Sequence, residues 1–380
     1  MRTMLFKAQH RMWWVPMLAG LVLLGACSSG VEKPKPVPLG PSPQGLAIKR
    51  SWSLAFGEVQ FPLRTVSVGS DIALATSQGL VAVVDARTGQ EIWRASVGSS
   101  VEAGVGFDGN YVAVVGQGGA LQVFKAGRQV WRADLGTSVA TPPLVAGNRV
   151  FVLGTDRTVA AWDAATGALL WQQARPGDPL VLKQPGLLAA LGDTLIVGQG
   201  AKLLGMNPLS GTVRWEQSVA SSRGTNEVEK LMDIPSGMAR SGQQVCVRAY
   251  QHAVACVDSA KPSLVWSKPS NGFSGLAGDA DSVFGVDGQG VVTAYRRNSG
   301  DIQWSSNTLR YRQLTGPVVV GRSVVVGDSE GNVHLLAKTD GTPLARLKTD
   351  GSAIAAVPVL VGQTLVVITQ RGGVFGFVPE

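Results

Sequence analysis

The 380-residue chain is poor in the side chains that most chemistry requires. Of its three histidines only His252 and His334 fall after residue 30. Neither lies at metal-ligand spacing from a Cys, Asp or Glu, so no metal site is expected, and they read as a turn and a strand residue. The three cysteines, Cys27, Cys246 and Cys256, include no adjacent pair and no Cys-x-x-Cys-His run that would attach haem. Charged residues make up only 16%, and no Lys/Arg run concentrates a field. The formal charge of +8 falls to +5 once Arg2, Lys7 and Arg11 are set aside, so nothing in the balance calls for a nucleic acid. The apolar stretch Met12–Ala26 is shorter than the roughly 18 residues of a membrane span.

What the chain does have is a recurring tryptophan. Trp93, Trp131, Trp171, Trp215 and Trp304 each stand four residues after a glycine: Gly89, Gly127, Gly167, Gly211 and Gly300. Trp266 keeps the beat without the glycine, and Trp52 stands one period ahead of Trp93. Successive gaps from Trp52 are 41, 38, 40, 44, 51 and 38 residues. A period of about 40 residues signals a repeat architecture.

Val150–Trp171 shows one unit most clearly. Val150–Leu153 and Thr158–Trp162 read as strands, Gly154–Arg157 and Asp163–Gly167 as turns, and Ala168–Trp171 opens a further strand. Ser138–Val145 supplies a strand upstream, making four short strands per unit. The turn residues have reasons: Asp bonds its own backbone two residues on, and Gly takes positive φ at little cost. The tryptophan then lands on the next strand, where its ring spans the gap to a neighbouring sheet.

Such a sheet leaves both faces wet; stacking sheets radially into a ring buries them and protects the edges. The last hairpin, Leu365–Ile368 with Gly373–Phe377, has no Trp strand after it, and Lys49–Leu54 is a Trp strand with no hairpin before it. The predicted fold is therefore an all-β, eight-bladed propeller of four-stranded antiparallel blades, closed by the Trp52 strand completing the last blade beside Phe375. Ala345 replaces the tryptophan in the unit before it. Seven blades would need about 48 residues each, against about 42 for eight, which fits the spacing better.

Two glycine patterns mimic catalytic motifs. Gly104–Gly109 satisfies GxGxxG, but a strand follows where a dinucleotide fold needs a helix. Gly327–Gly331 satisfies GxSxG, but Asn332–Leu335 continues as a strand, so it reads as a hairpin turn rather than a nucleophile elbow. Val245–Val247 and Ala255–Val257 flank a turn at Tyr250–His252. A hairpin symmetric about Gln251 places Cys246 and Cys256 on facing positions, either as a disulfide or as two buried thiols.

The N-terminus reads as a targeting segment: a basic n-region, an apolar run, then Leu24-Gly25-Ala26-Cys27. This resembles the bacterial lipobox, which implies a signal peptide over 1–26 and lipidation of Cys27. In lipoproteins an Asp after the cysteine favours retention in the inner membrane, so Ser28 implies the outer membrane. Residues 27–45, with Pro34, Pro36, Pro38, Pro41 and Pro43, read as a tether able to span roughly 50 Å as polyproline II. The propeller occupies 46–380.

Lipobox, Pro-rich tether and eight repeats together resemble the BamB family, lipoprotein subunits of the outer-membrane β-barrel assembly machine. The sharpest match is Leu314–Val318 through Val326–His334. The resemblance implies a non-enzymatic, cofactor-free scaffold, anchored in the outer membrane and facing the periplasm. It implies binding to the periplasmic POTRA domains of the BamA insertase and indirect contact with the machine's other lipoproteins, in support of barrel insertion. Direct pairing with nascent barrel strands through an exposed strand edge is a further mode. Family contacts lie on two long inter-blade connections. Leu180-Val181-Leu182-Lys183 matches a Leu-x-Leu-Arg pattern with Lys for Arg, and Asp233-Ile234-Pro235 keeps the first Asp of an Asp-x-Asp-x-x-Pro pattern, near Glu229. Independently, these are the places where the repeat lengthens, and insertions in a ring become loops that carry function. The implied contact residues are Leu180, Leu182, Lys183 and Asp233. The repeat also resembles that of pyrroloquinoline-quinone dehydrogenases, the alternative enzymatic reading, but those carry adjacent cysteines and a larger catalytic domain.

Overall fold

Short apolar runs punctuated by Asp- and Gly-rich turns give strands of two to eight residues and, among the described residues, no helix. The computed structural model describes residues 34–175, 184–221 and 232–380. From Pro36 onward the chain forms one unit, an eight-bladed propeller of four-stranded antiparallel sheets. Seven blades are meanders of consecutive strands. The first runs Val66–Val68, Asp71–Ala75, Leu80–Asp85 and Glu91–Ser96 from the axis outward. The third through seventh begin at Leu144, Leu188, Ala239, Ala277 and Val318, each opening on an inner strand of two to four residues. The second begins at Val101. The first strand of the third blade is only Leu144–Ala146; Ser138–Thr141 of the expected strand is irregular, Pro142 and Pro143 having no amide hydrogen to pair.

The eighth blade combines the two chain ends. Ile48–Ala55 pairs with Gly373–Pro379, setting Ser53 opposite Phe375 and Trp52 opposite Gly376. Middle strands are buried on both faces, Ile72 to Ala75 being at most 1% exposed, which explains their continuous Val/Ala/Leu composition. Outer strands alternate: from Ile92 to Ser96 every second residue is exposed.

The tryptophans bind neighbouring blades together. Trp131 of the second blade lays its ring on Gly167 of the third and donates its indole N–H to the Ala164 carbonyl at 2.8 Å. A Cβ on Gly167 would meet that ring at 2.7 Å, and its φ of +76° independently favours glycine. Trp52, Trp171, Trp266 and Trp304 repeat this, donating to the carbonyls of Ala86, Pro208, Arg297 and Lys338 in the next blade's turn. Each buries a large apolar ring while satisfying its one donor.

The two catalytic look-alikes are structural. Gly104–Phe107 lies within the strand Val101–Phe107, and Gly327–Gly331 ends one strand and turns into Asn332–Ala337. Cys246 and Cys256 are register partners in a hairpin turning at Gln251, joined by a disulfide. Of the Pro-rich stretch, Val37–Gly45 is not a free tether. It is hydrogen-bonded to the seventh blade and its approach, from Val37 N to Arg310 O and from Gly45 N to Leu344 O.

Candidate interaction site at two inter-blade connections

The repeat lengthens between the third and fourth blades and again between the fourth and fifth. The structure joins these two connections. Gly186 and Pro235 form an antiparallel bridge; Leu187 N donates to Ile234 O and Ser236 N to Pro185 O, both at 2.9 Å. Gly186 N also donates to Thr141 Oγ1 at 2.9 Å, tying the pair to the third blade.

Asp233 sits at the centre of this arrangement, half-buried. Its Oδ1 accepts from Gly200 N at 3.3 Å and its carbonyl from Tyr250 N at 2.9 Å. One residue thus staples turns of the fourth and fifth blades. It borders a 40 Å³ cavity shared with Thr141, Arg157, Gln184 and Gln199. Leu180, Leu182, Lys183 and Glu229, like Cys27, lie outside the described residues; Asp233 is the predicted contact residue whose surroundings are defined.

Sequence reasoning did not find an aromatic pair beside it. The Tyr250 ring packs on Phe273 with centroids 5.5 Å apart, and Phe273 remains 43% exposed. Phe273 belongs to the next connection, held to the same hairpin by Gln251 N donating to Gly272 O. Isolated aromatics outside the Gly-Trp beat were the available signal.

All these segments rim a central depression of about 640 Å³. Pro142, Pro185, Pro235, Pro317 and Pro358, each just ahead of an inner strand, line it. Prolines fit there because an inner strand leaves one edge unpaired. Arg64 is the one charged side chain among the described lining residues. Burial lowers its pKa below the ordinary arginine value, and its Nη1 donates to the Leu188 carbonyl at 3.3 Å. The described lining joins apolar side chains and backbone to the polar side chains of Arg64, Thr65, Gln184, Ser236 and Ser274.

Eight blades of this Gly-Trp repeat place the chain in the structural class that includes quinoprotein propellers. Quinohemoprotein alcohol dehydrogenase from Comamonas testosteroni superposes with a TM-score of 0.68 at 14% identity, over 87% of this chain and 76% of that one. The crystal structure of BamB from Moraxella catarrhalis superposes with a TM-score of 0.79 at 24% identity, over 87% and 99%. The profile of the family described as outer membrane protein assembly factor BamB matches residues 77–306 and 288–379. Proteins of that name from Burkholderia pseudomallei and Bordetella pertussis are 36% and 33% identical, over 96% and 94% of this chain and 97% and 94% of theirs. The chain belongs to the BamB family of outer membrane protein assembly factors.

Proposed function

We propose that the protein is a non-enzymatic scaffold of the outer-membrane protein assembly complex. It is held to the outer membrane by a lipid on Cys27, faces the periplasm and binds the POTRA region of a BamA-like insertase. The observation that carries this reading is the bridge between Gly186 and Pro235, which makes one platform of two connections that sequence alone had marked separately. Of the expected contact residues, Leu180, Leu182 and Lys183 would supply an apolar anchor and a cation, and Asp233, beside the bridge, an acid. The exposed Phe273 adds the aromatic that interface centres favour. The largely apolar lining that the described residues give the central depression fits a binding surface.

Two variants test the platform. Phe273→Ala removes an exposed ring without touching the core, and Leu182→Asp reverses the character of the anchor. Each is expected to lower insertase recovery in pull-downs from membranes about tenfold. Wild-type recovery from both would sink the assignment of this surface. Oxidation of an alcohol by the purified chain with added pyrroloquinoline quinone would overturn the scaffold reading itself.

A further inference from the structure

The seventh blade lacks the tryptophan of its siblings, and the reason is geometric. Its outer strand, Pro343–Lys348, faces an eighth blade that has no turn at the equivalent place, because the chain ends meet there: Glu380 N bonds Ala47 O at 3.1 Å. No turn glycine is available to receive an indole ring. Ala345 occupies the tryptophan position, and the space beside it is roofed by the strap Val37–Gly45. Leu39 packs into the cluster that contains Trp304, Leu309 and Leu336.

Three arginines grip the strap by its backbone. Arg312 donates from Nε and Nη2 to the Val37 carbonyl at 3.1 and 3.0 Å. Arg346 Nη2 donates to Gly40 O at 3.0 Å, and Arg322 Nη2 to Gly45 O at 3.0 Å. A proline-rich segment forms no internal hydrogen bonds, so its carbonyls are open to such donors. Arg312 is itself fixed in place. It is buried, and its Nη1 bonds Asp328 at 3.1 Å and Glu330 at 2.6 Å, while Asp328 also accepts from His334 at 2.9 Å. The stretch containing the GxSxG look-alike is thus the foundation of a clasp.

We propose that this clasp makes the seventh blade the membrane-proximal rim of the ring. The inference rests on the reading of Cys27 as the lipidated residue. With the strap docked at Val37, the chain between Cys27 and Val37 can reach at most about 36 Å. In a ring of eight, the third blade lies diametrically opposite the seventh. The third blade is thereby turned away from the bilayer, toward partners in the aqueous space. An undocked leash reaching to Leu46 would leave the ring free to roll.

The test uses the mature acylated protein in phosphatidylethanolamine–phosphatidylglycerol vesicles carrying a headgroup quencher. A fluorophore is placed on Thr339→Cys, in the exposed outer turn of the seventh blade, or on Ala165→Cys, in the equivalent turn of the third. Quenching at 339 is expected to exceed that at 165 by about twofold or more, given the short leash. The double variant Arg322→Ala/Arg346→Ala should erase that difference. It should also speed exchange of the Val37 and Gly45 amide hydrogens about tenfold, with exchange in the blades unchanged. Equal quenching at both sites, or strap amides that already exchange in the wild type as fast as an unstructured peptide, overturns the proposal. Mass analysis of the N-terminal peptide reads acylation separately. A bare Cys27 would remove the lipid anchor and this proposal with it, while slow exchange at Val37 would show the clasp intact.

Discussion

The junction between the second and third blades and that between the seventh and eighth solve one packing problem by different means. The first uses Trp131 on Gly167, an apolar ring with one hydrogen bond, from residues one period apart. The second uses Ala345, a proline-rich strap and three arginines, joining residues 275 to 306 positions apart in sequence. A repeat can copy its own junction around the ring only until the ends of the chain arrive. The closing junction lacks the turn the device needs, so a segment from outside the repeat supplies the cover. The first kind of junction rests on one indole ring, while the second adds arginine–carbonyl hydrogen bonds to the packing of Ala345 and Leu347 with Phe375 and Phe377, and that difference can be broken experimentally.

The largest effect is expected at the charged junction. Asp328→Asn keeps the shape but leaves the buried Arg312 without its closest buried counter-charge, costing about 3–5 kcal/mol in urea unfolding. Burial alone would raise the Asp328 carboxyl, but hydrogen bonds from His334 and Asn332 outweigh it and hold the pKa at about 2, below the usual 3.8. A folded value beneath the unfolded one contributes stability that is present above pH 3.8 and lost as pH falls through 2. The variant should flatten the stability–pH curve in that window; an unchanged slope would mean that Asp328 is not the titrating group.

Next comes the apolar junction. Gly167→Ala places a methyl against Trp131 in a left-handed backbone, with an expected loss of about 2–4 kcal/mol. Gly147→Ala, also at positive φ but with open space around it, should cost only about 1 kcal/mol. Equal losses would show that backbone strain alone, and not the indole contact, demands glycine. Where the two designs meet, the loss is expected to be smaller than at Asp328 or Gly167. Ala345→Trp forces an indole under the strap, costing about 1–3 kcal/mol by overpacking. It should release Val37 and Gly45 to fast exchange while leaving the other junctions intact.

How much of this was legible depends on range. The blade count, the closing partnership of Trp52 with the last hairpin and the turn at Gln251 all follow from local period and turn chemistry, and they are present. The docking of Val37–Gly45 was not legible, since a Pro-rich stretch with little to bury reads as solvated. Its contacts are backbone carbonyls meeting arginines some 300 residues away, which no local pattern encodes. His334 reads correctly as a strand residue, yet nothing nearby in sequence reveals that its ring bonds a buried carboxylate. At the candidate site, repeat lengthening located both connections. Their mutual bridge and the Tyr250–Phe273 pair needed three dimensions, because they join segments from different blades.

The pairing of Ile48–Ala55 with Gly373–Pro379 also sets a timetable for assembly. Ile48–Ala55 has no partner until Gly373–Pro379 has emerged, so no product that stops short of that strand can shut the circle. Seven blades can stack as they appear, but the eighth lacks the strand that joins its two parts until Gly373–Pro379 is made, and loss of that strand would leave an open arc with two raw edges. Folding to the closed ring thus doubles as a check that Gly373–Pro379 has arrived.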